Sequence, residues 1–170
     1  MEADILKPKK AYKTPKLLTV NSKQETSLNK AQQANQNAAI FLSQFIGASF
    51  GPKGLSKLRF SEHGDIFVLQ DCKTILEKAD LKHPVATMMR DLAKSLHAKW
   101  GDGSAAGVLL ACSLIDKGFG LTEKGIHPSK IVEGYSIARD ESLLFLEKIK
   151  VNSSGDEIRK LILTFFSSKL

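Results

Sequence analysis

The feature that most constrains this chain is a change of hydrophobic period between residues 85 and 115. Val85, Met88, Met89, Leu92, Ala93 and Leu96 recur at i, i+3, i+4, i+7, i+8 and i+11, the spacing of a single apolar stripe on a helix. From Ala105 to Ile115 the chain is apolar on most sides, which predicts a helix at the centre of a helical core. Gly101-Asp102-Gly103-Ser104 separates the two. An amphipathic helix that reverses into an all-apolar one needs further helices to cover the second, so the pattern points to a mainly helical fold.

The rest of the chain supplies those helices. Residues 25–49 predict a long helix with Leu28, Ala31, Ala38, Leu42, Phe45 and Ile46 near one face, ended by Gly51-Pro52. Residues 57–60 and 65–69 predict a short hairpin around His63-Gly64. Asp71 is placed to cap a short helix over 72–79. His83-Pro84 and His127-Pro128 each open a helix, with proline at the first helical position. The central helix is expected to end near Lys117, broken by Gly118 and Gly120. The helix from His127 to about Lys150 is expected to turn Ile131, Tyr135, Ala138, Ser142, Phe145 and Ile149 inward. After Asn152-Ser153-Ser154-Gly155, a last helix over 156–167 carries Ile158, Leu161, Ile162, Phe165 and Phe166. Leu17-Leu18-Thr19-Val20 reads as an edge strand.

Composition bounds the function classes. A chain of 170 residues with 42% hydrophobic and 25% charged residues fits one domain with its own core. No run reaches the roughly 18 apolar residues expected of a bilayer span, and Met1-Glu2-Ala3-Asp4 opens no signal-like apolar core. Cys72 and Cys112 make no disulfide framework, which fits a reducing intracellular compartment. The net charge is +7, of which residues 1–24 hold +4 through six lysines against Glu2 and Asp4. A solvated arm explains these lysines better than a nucleic-acid contact. His83 and His127 lack the cysteine or histidine partners of a zinc site.

The chemistry concentrates at the glycines. Two glycines let the backbone approach a ligand, and the free N–H groups at a helix start attract phosphate oxygens. A carboxylate such as Asp102 fits beside phosphate when a hard cation lies between them. Gly51-Pro52-Lys53-Gly54 and Asp71 add a second turn and a second carboxylate. The glycine turn lacks the Gly-x-x-x-x-Gly-Lys-Ser/Thr spacing of a Walker loop. Each residue also has a plainer role: Gly51 as a helix terminator, Asp71 and Asp102 as N-caps, and Cys72 as a small buried apolar group.

The ordered series Gly51-Pro52-Lys53-Gly54-Leu55-Ser56-Lys57-Leu58, Gly64-Asp65-Ile66, Asp71 with Thr74-Ile75-Leu76, His83-Pro84-Val85-Ala86, Gly101-Asp102-Gly103-Ser104 and Gly125-Ile126-His127-Pro128-Ser129-Lys130-Ile131 resembles the group II chaperonins, the thermosome and the eukaryotic cytosolic chaperonin. Gln70-Asp71-Cys72, with its non-glycine third position, is nearest to theta-like subunits. The resemblance implies a mainly α fold: a multi-helical equatorial-domain half with a small β-hairpin. It divides the chain into a basic arm (1–24), the N-terminal half of an ATP-binding equatorial domain (25–150) and the start of an intermediate domain (151–170). Full family members are several times longer, so the chain is expected to be a fragment or truncated copy.

The resemblance also assigns a site for ATP and Mg²⁺. Gly51 and Pro52 would lie against sugar and phosphates. Asp102 would hold Mg²⁺, and Gly103, Ser104, Ala105 and Ala106 would cradle the phosphates through their backbone. Asp71 would be the catalytic carboxylate near the γ-phosphate, placing Mg²⁺ or water, with Cys72 crowding the site beside it. Lys169 would sense the γ-phosphate. Ser104-Ala105-Ala106 replaces the family's threonines, removing two hydroxyl donors. The partners implied are other chaperonin subunits in a hetero-oligomeric double ring and unfolded clients, in the cytoplasm and without a membrane. The family's water-activating aspartate lies downstream of this sequence, so little or no hydrolysis is expected of the chain alone. The alternative is a non-hydrolysing interaction fragment that pairs with full-length subunits. In either case an apolar face is expected along Met88, Met89, Leu109 and Phe145.

Overall fold

The structure is a computed structural model and describes residues 28–61, 64–151 and 154–167. Six helices and one hairpin follow in the order α1 (Leu28–Gly47), β1 (Lys57–Phe60), β2 (Ile66–Leu69), α2 (Cys72–Lys78), α3 (Pro84–Trp100), α4 (Ser104–Glu123), α5 (Pro128–Ile149) and α6 (Gly155–Ser167). The strands pair antiparallel, with Lys57 opposite Leu69 and Phe60 opposite Ile66. The expected edge strand at Leu17–Val20, the basic arm and Lys169 lie outside the described residues.

Helix α4 is the axis of the fold. Gln36 of α1 donates from Nε2 to Asp116 Oδ1 at 3.0 Å, while Gly47 at the other end of α1 sits against Leu109. The two helices therefore run antiparallel. Helix α3 packs on α4 the same way after the short turn at Gly101–Gly103: a Cβ on Gly107 would meet the tip of Leu96, which would have to shift. The shared core joins Leu42 and Ile46 of α1, Ile75 and Leu76 of α2, Val85, Ala86, Met89 and Ala93 of α3, and Val108 and Cys112 of α4. Burying side chains of this size contributes roughly 1.5–3 kcal/mol each.

Several expectations are corrected. Helix α4 continues through Gly118 and Gly120 to Glu123. Gly118 is a packing gap: a Cβ there would lie 3.4 Å from the Tyr135 hydroxyl of α5. The helix stops at Gly125, whose φ of +87° few other residues adopt. Nor is α4 covered all round, since Leu110 and Leu114 are exposed. It is also long and apolar enough to cross a membrane by length and composition, with a mean hydropathy of 1.4, because Val108, Leu109, Leu110, Leu114, Ile115, Phe119 and Leu121 outweigh its few charges. On α1, Ala31 is exposed although the apolar stripe included it.

Helix α5 meets α4 only near its start. Ile131 is buried, and the Tyr135 hydroxyl donates to the Leu114 carbonyl at 2.8 Å. Beyond that turn Ala138, Ser142, Phe145 and Ile149 are exposed rather than inward-facing. The expected apolar face is thus redistributed. Met88 and Phe145 are exposed, whereas Met89 is buried and Leu109 packs against the core.

Candidate functional site

Because α1 and α3 both run antiparallel to α4, their C-terminal ends lie at the end where α4 begins. Three segments meet there: the turn after α1 with Gly51 and Pro52, the start of α2 with Asp71, and the Gly101–Ser104 turn.

Two contacts tie the segments together. At the base of the hairpin Gln70 donates from Nε2 to Ser56 Oγ at 3.0 Å, which joins the segment after the glycine turn to the one that leads into Asp71. One residue further on, Cys72 is buried, and the Ser104 hydroxyl lies against its thiol. That contact joins the start of α2 to the start of α4. The glycine turn itself is compact. Gly54 N–H donates to the Gly51 carbonyl at 2.9 Å, and a Cβ on Gly54 would collide with the Ser49 carbonyl at 2.4 Å. Gly51 and Pro52 are exposed.

The helix starts differ in a way that matters. Helices α2, α3 and α5 are capped by side chains: Asp71 accepts from Thr74 N–H, and His83 and His127 accept through Nδ1 from Val85 N–H and Ser129 N–H. The two histidines are therefore helix caps, each paired with a proline at the next position. Burial pushes the His83 pKa below its ordinary value, which keeps Nδ1 free to accept. Helix α4 has no side-chain cap; its cap residue is Gly103 in the left-handed region at φ +79°. The first intrahelical bond there is Gly107 N–H to the Gly103 carbonyl at 3.0 Å. The N–H groups of Ser104, Ala105 and Ala106 are thus the open donors that every helix start leaves.

Asp102 directly precedes Gly103, and Asp71 directly precedes Cys72. Asp102 is exposed and accepts from the Gly103 N–H through Oδ1 at 2.8 Å. Asp71 is half-buried, and its Oδ2 accepts from Thr74 N–H at 3.1 Å and Thr74 Oγ1 at 3.2 Å. Among the described residues, the second oxygen of each carboxylate has no protein partner. A hard cation such as Mg²⁺ takes oxygen ligands of this kind and keeps several waters, so the donor set fits it. No cluster of three or more histidine, cysteine or acidic residues exists among the described residues.

One sequence expectation changes here. Cys72 does not crowd the opening: its side chain is in the core with Cys112 and Ser104. Desolvation, helped by the nearby Asp71 charge and Cys112, pushes its pKa up to about 12; the Ser104 hydroxyl acts the other way. Cys112 is likewise raised to about 11 by burial. Both thiols stay protonated and unreactive at neutral pH. Ser104 is itself buried, with its hydroxyl against the Cys72 thiol. Thr74, which holds Asp71, has a role that the sequence reading did not assign; a threonine three residues after a capping aspartate is the signal for it.

The helical layer, the hairpin and the glycine-flanked opening define an equatorial-type domain. Residues 42–170 match the TCP-1/cpn60 chaperonin family, and the chain belongs to that family. It is 34% identical over 164 residues to thermosome subunit alpha of Sulfurisphaera tokodaii, covering 91% of this chain and 29% of that protein. It is 36% identical over 149 residues to thermosome subunit beta of Desulfurococcus mucosus, covering 86% and 30%. Among solved structures, a group III chaperonin in the open state superposes with a TM-score of 0.68 at 30% identity, over 74% of this chain and 26% of that one. The chain thus spans just under a third of the length of these relatives.

Proposed function

We propose that this chain is the ATP-binding equatorial portion of a chaperonin subunit that assists protein folding within a ring. Residues 25–150 form the equatorial half, residues 151–170 lead into the intermediate domain, and residues 1–24 are a basic arm. One observation carries the reading: the open start of α4 lies at the same end of the core as the Gly51-Pro52 turn and Asp71, tied to Asp71 through the Cys72–Ser104 contact.

The roles follow from that placement. The backbone N–H groups of Ser104, Ala105 and Ala106 bind phosphate oxygens, aided by the positive end of the α4 dipole, and Gly103 gives the phosphates close access to the backbone. Gly51 and Pro52 lie against the sugar and phosphates. Asp102 and Asp71 hold Mg²⁺ through their unpaired oxygens. When bound, the ion offsets phosphate charge, so that carboxylates and phosphates share the opening without repulsion. Thr74 fixes the orientation of Asp71. Lys169 is a further proposed contact to the γ-phosphate. With Ala105 and Ala106 in place of threonines the site relies on backbone donors, and two lost hydrogen bonds at roughly 0.5–1.5 kcal/mol each weaken binding by about one to two orders of magnitude. The chain alone turns over little ATP. Its other proposed partners are further chaperonin subunits and unfolded clients, in the cytoplasm, where buried free thiols are stable.

Calorimetric titration of the 170-residue chain with Mg·ATP tests this. Binding is expected, and Asp102→Ala is expected to weaken it at least about tenfold, the scale of one lost charge-assisted contact, with an unchanged circular dichroism spectrum. No heat of binding in the parent chain overturns the nucleotide role.

A second reading is favoured by the exposed apolar residues of α5 and α6. Leu143, Leu144, Phe145 and Leu146, with Leu161, Ile162 and Leu163, form more apolar surface than a free monomer ordinarily presents. In this reading the chain pairs with full-length chaperonin subunits without hydrolysing ATP. Co-migration with a full-length subunit on size exclusion, abolished by Leu144→Glu, is the result expected of it; separate elution counts against it.

A further inference from the structure

We infer that the contact between the side chains of Cys72 and Ser104 sets the spacing of Asp71 and Asp102 and thereby makes the opening prefer magnesium over calcium. The inference rests on the Mg·ATP reading above and extends it to the choice of cation.

Cys72 is the first residue of α2, and Ser104 is the first residue of α4. Both are buried, at 4% and 2% exposure. A hydroxyl is costly to bury without a partner; this one donates to the Cys72 sulfur. Asp71 stands one residue before Cys72, and Asp102 stands two before Ser104. The Cα of each aspartate is thus at most about 8 Å of chain from the contact.

The other bonds of the two carboxylates are local. Asp71 Oδ2 accepts from Thr74 in its own helix start, and Asp102 Oδ1 accepts from the adjacent Gly103 N–H. Such bonds orient each carboxyl group within its own turn and leave the distance between the turns open. The Cys72–Ser104 contact crosses from one turn to the other. It is also seated on the core. Ser104, Val108 and Cys112 follow one another at helical spacing as the buried residues of α4, and Cys72, Val108 and Cys112 share one buried cluster. A contact backed by close-packed side chains cannot shift without disturbing them.

Spacing matters more to one cation than to the other. Mg²⁺ demands near-octahedral oxygen geometry at about 2.0–2.1 Å, whereas Ca²⁺ accepts oxygens at about 2.3–2.6 Å in a flexible arrangement. A small change in the gap between two carboxylate-bearing turns therefore separates the two ions. The side chains of Cys72 and Ser104 are positioning groups: they act through the aspartates beside them.

The test uses the full chain and two probes, Mg·ATP and Ca·ATP, titrated by calorimetry with urea unfolding alongside. Cys72→Ala and Ser104→Ala should each weaken Mg·ATP about fivefold and leave Ca·ATP within about twofold of the parent. The double variant should lose no more than the larger single loss, because both changes remove one contact. Cys72→Ser, which keeps a hydrogen-bonding group, should retain the parent's preference. Cys112→Ala is the control for core damage: it removes a buried thiol of the same cluster, and should lower the urea midpoint without moving the ratio of the two affinities. If C72A and S104A weaken both probes equally, or neither, the pair is core packing alone, and the nucleotide site stands without it. If the parent chain binds neither probe, the nucleotide reading fails and this assignment fails with it.

Discussion

The α1–α4 layer and the α5–α6 arm have equally clear hydrophobic periodicity and opposite outcomes. In the first, Leu42, Ile46, Leu76, Val108 and Cys112 are at or near zero exposure, because α4 has helices on two sides. In the second, Ile131 and the Tyr135 hydroxyl make the junction to α4, and Phe145 is 60% exposed. Amphipathic pattern therefore states that a face needs a partner, and packing decides whether the partner is present. The candidate site sits on the packed side, which suits a function that depends on fixed loop geometry.

Removing one apolar side chain from each region is the strongest way to break this contrast. Leu42→Ala should cost about 2–5 kcal/mol by urea unfolding, since it opens a cavity at a fully buried position of the core. Phe145→Ala should change stability by less than about 0.5 kcal/mol and reduce self-association by light scattering. Equal effects would mean that α5 is as well packed as α1.

The core thiols give a second, pH-dependent test. Cys72 is raised from an ordinary 9.0 to about 12 in the folded chain. Above pH 9 the unfolded chain loses this proton while the folded chain keeps it. Stability is thus fully present below about pH 9 and falls as pH rises toward 12, with a limiting slope of about 1.4 kcal/mol per pH unit. Urea midpoints measured from pH 8 to 10.5 should show the decline, and Cys72→Ala should flatten it. His83 acts at the other end: its lowered pKa places stability above about pH 6.5, lost as pH falls, because protonated Nδ1 cannot accept from Val85.

Asp71 separates capping from ligand binding. Asp71→Ala should cost about 1 kcal/mol as the α2 cap is lost and should weaken Mg·ATP. Asp71→Asn caps nearly as well, so it should keep stability and still lose magnesium-dependent affinity. If Asn restores both, the carboxylate is a cap and nothing more. Tyr135→Phe removes the bond to the Leu114 carbonyl and should cost about 0.5–1.5 kcal/mol, read as faster hydrogen exchange in α5 alone.

Much of this could be read along the chain. Proline at 84 and 128, Asp71 before Cys72, and the glycines at 101 and 103 are local signals. They act within one or two turns of backbone, so the helix starts follow from them directly. Helix ends were less legible. Gly118 looked like a break because glycine favours chain reversal, but its neighbour Tyr135 belongs to another helix, and no local rule reveals that contact.

The sequence by itself determined the helices, their starts and the presence of the hairpin, since these depend on short-range sterics, capping and period. Only the tertiary structure decided that Cys72 faces inward to Ser104, that α5 leaves α4 after Tyr135, and that three separated turns share one end of the bundle. Those outcomes depend on contacts between residues tens of positions apart, where volume and burial, rather than local preference, select the arrangement.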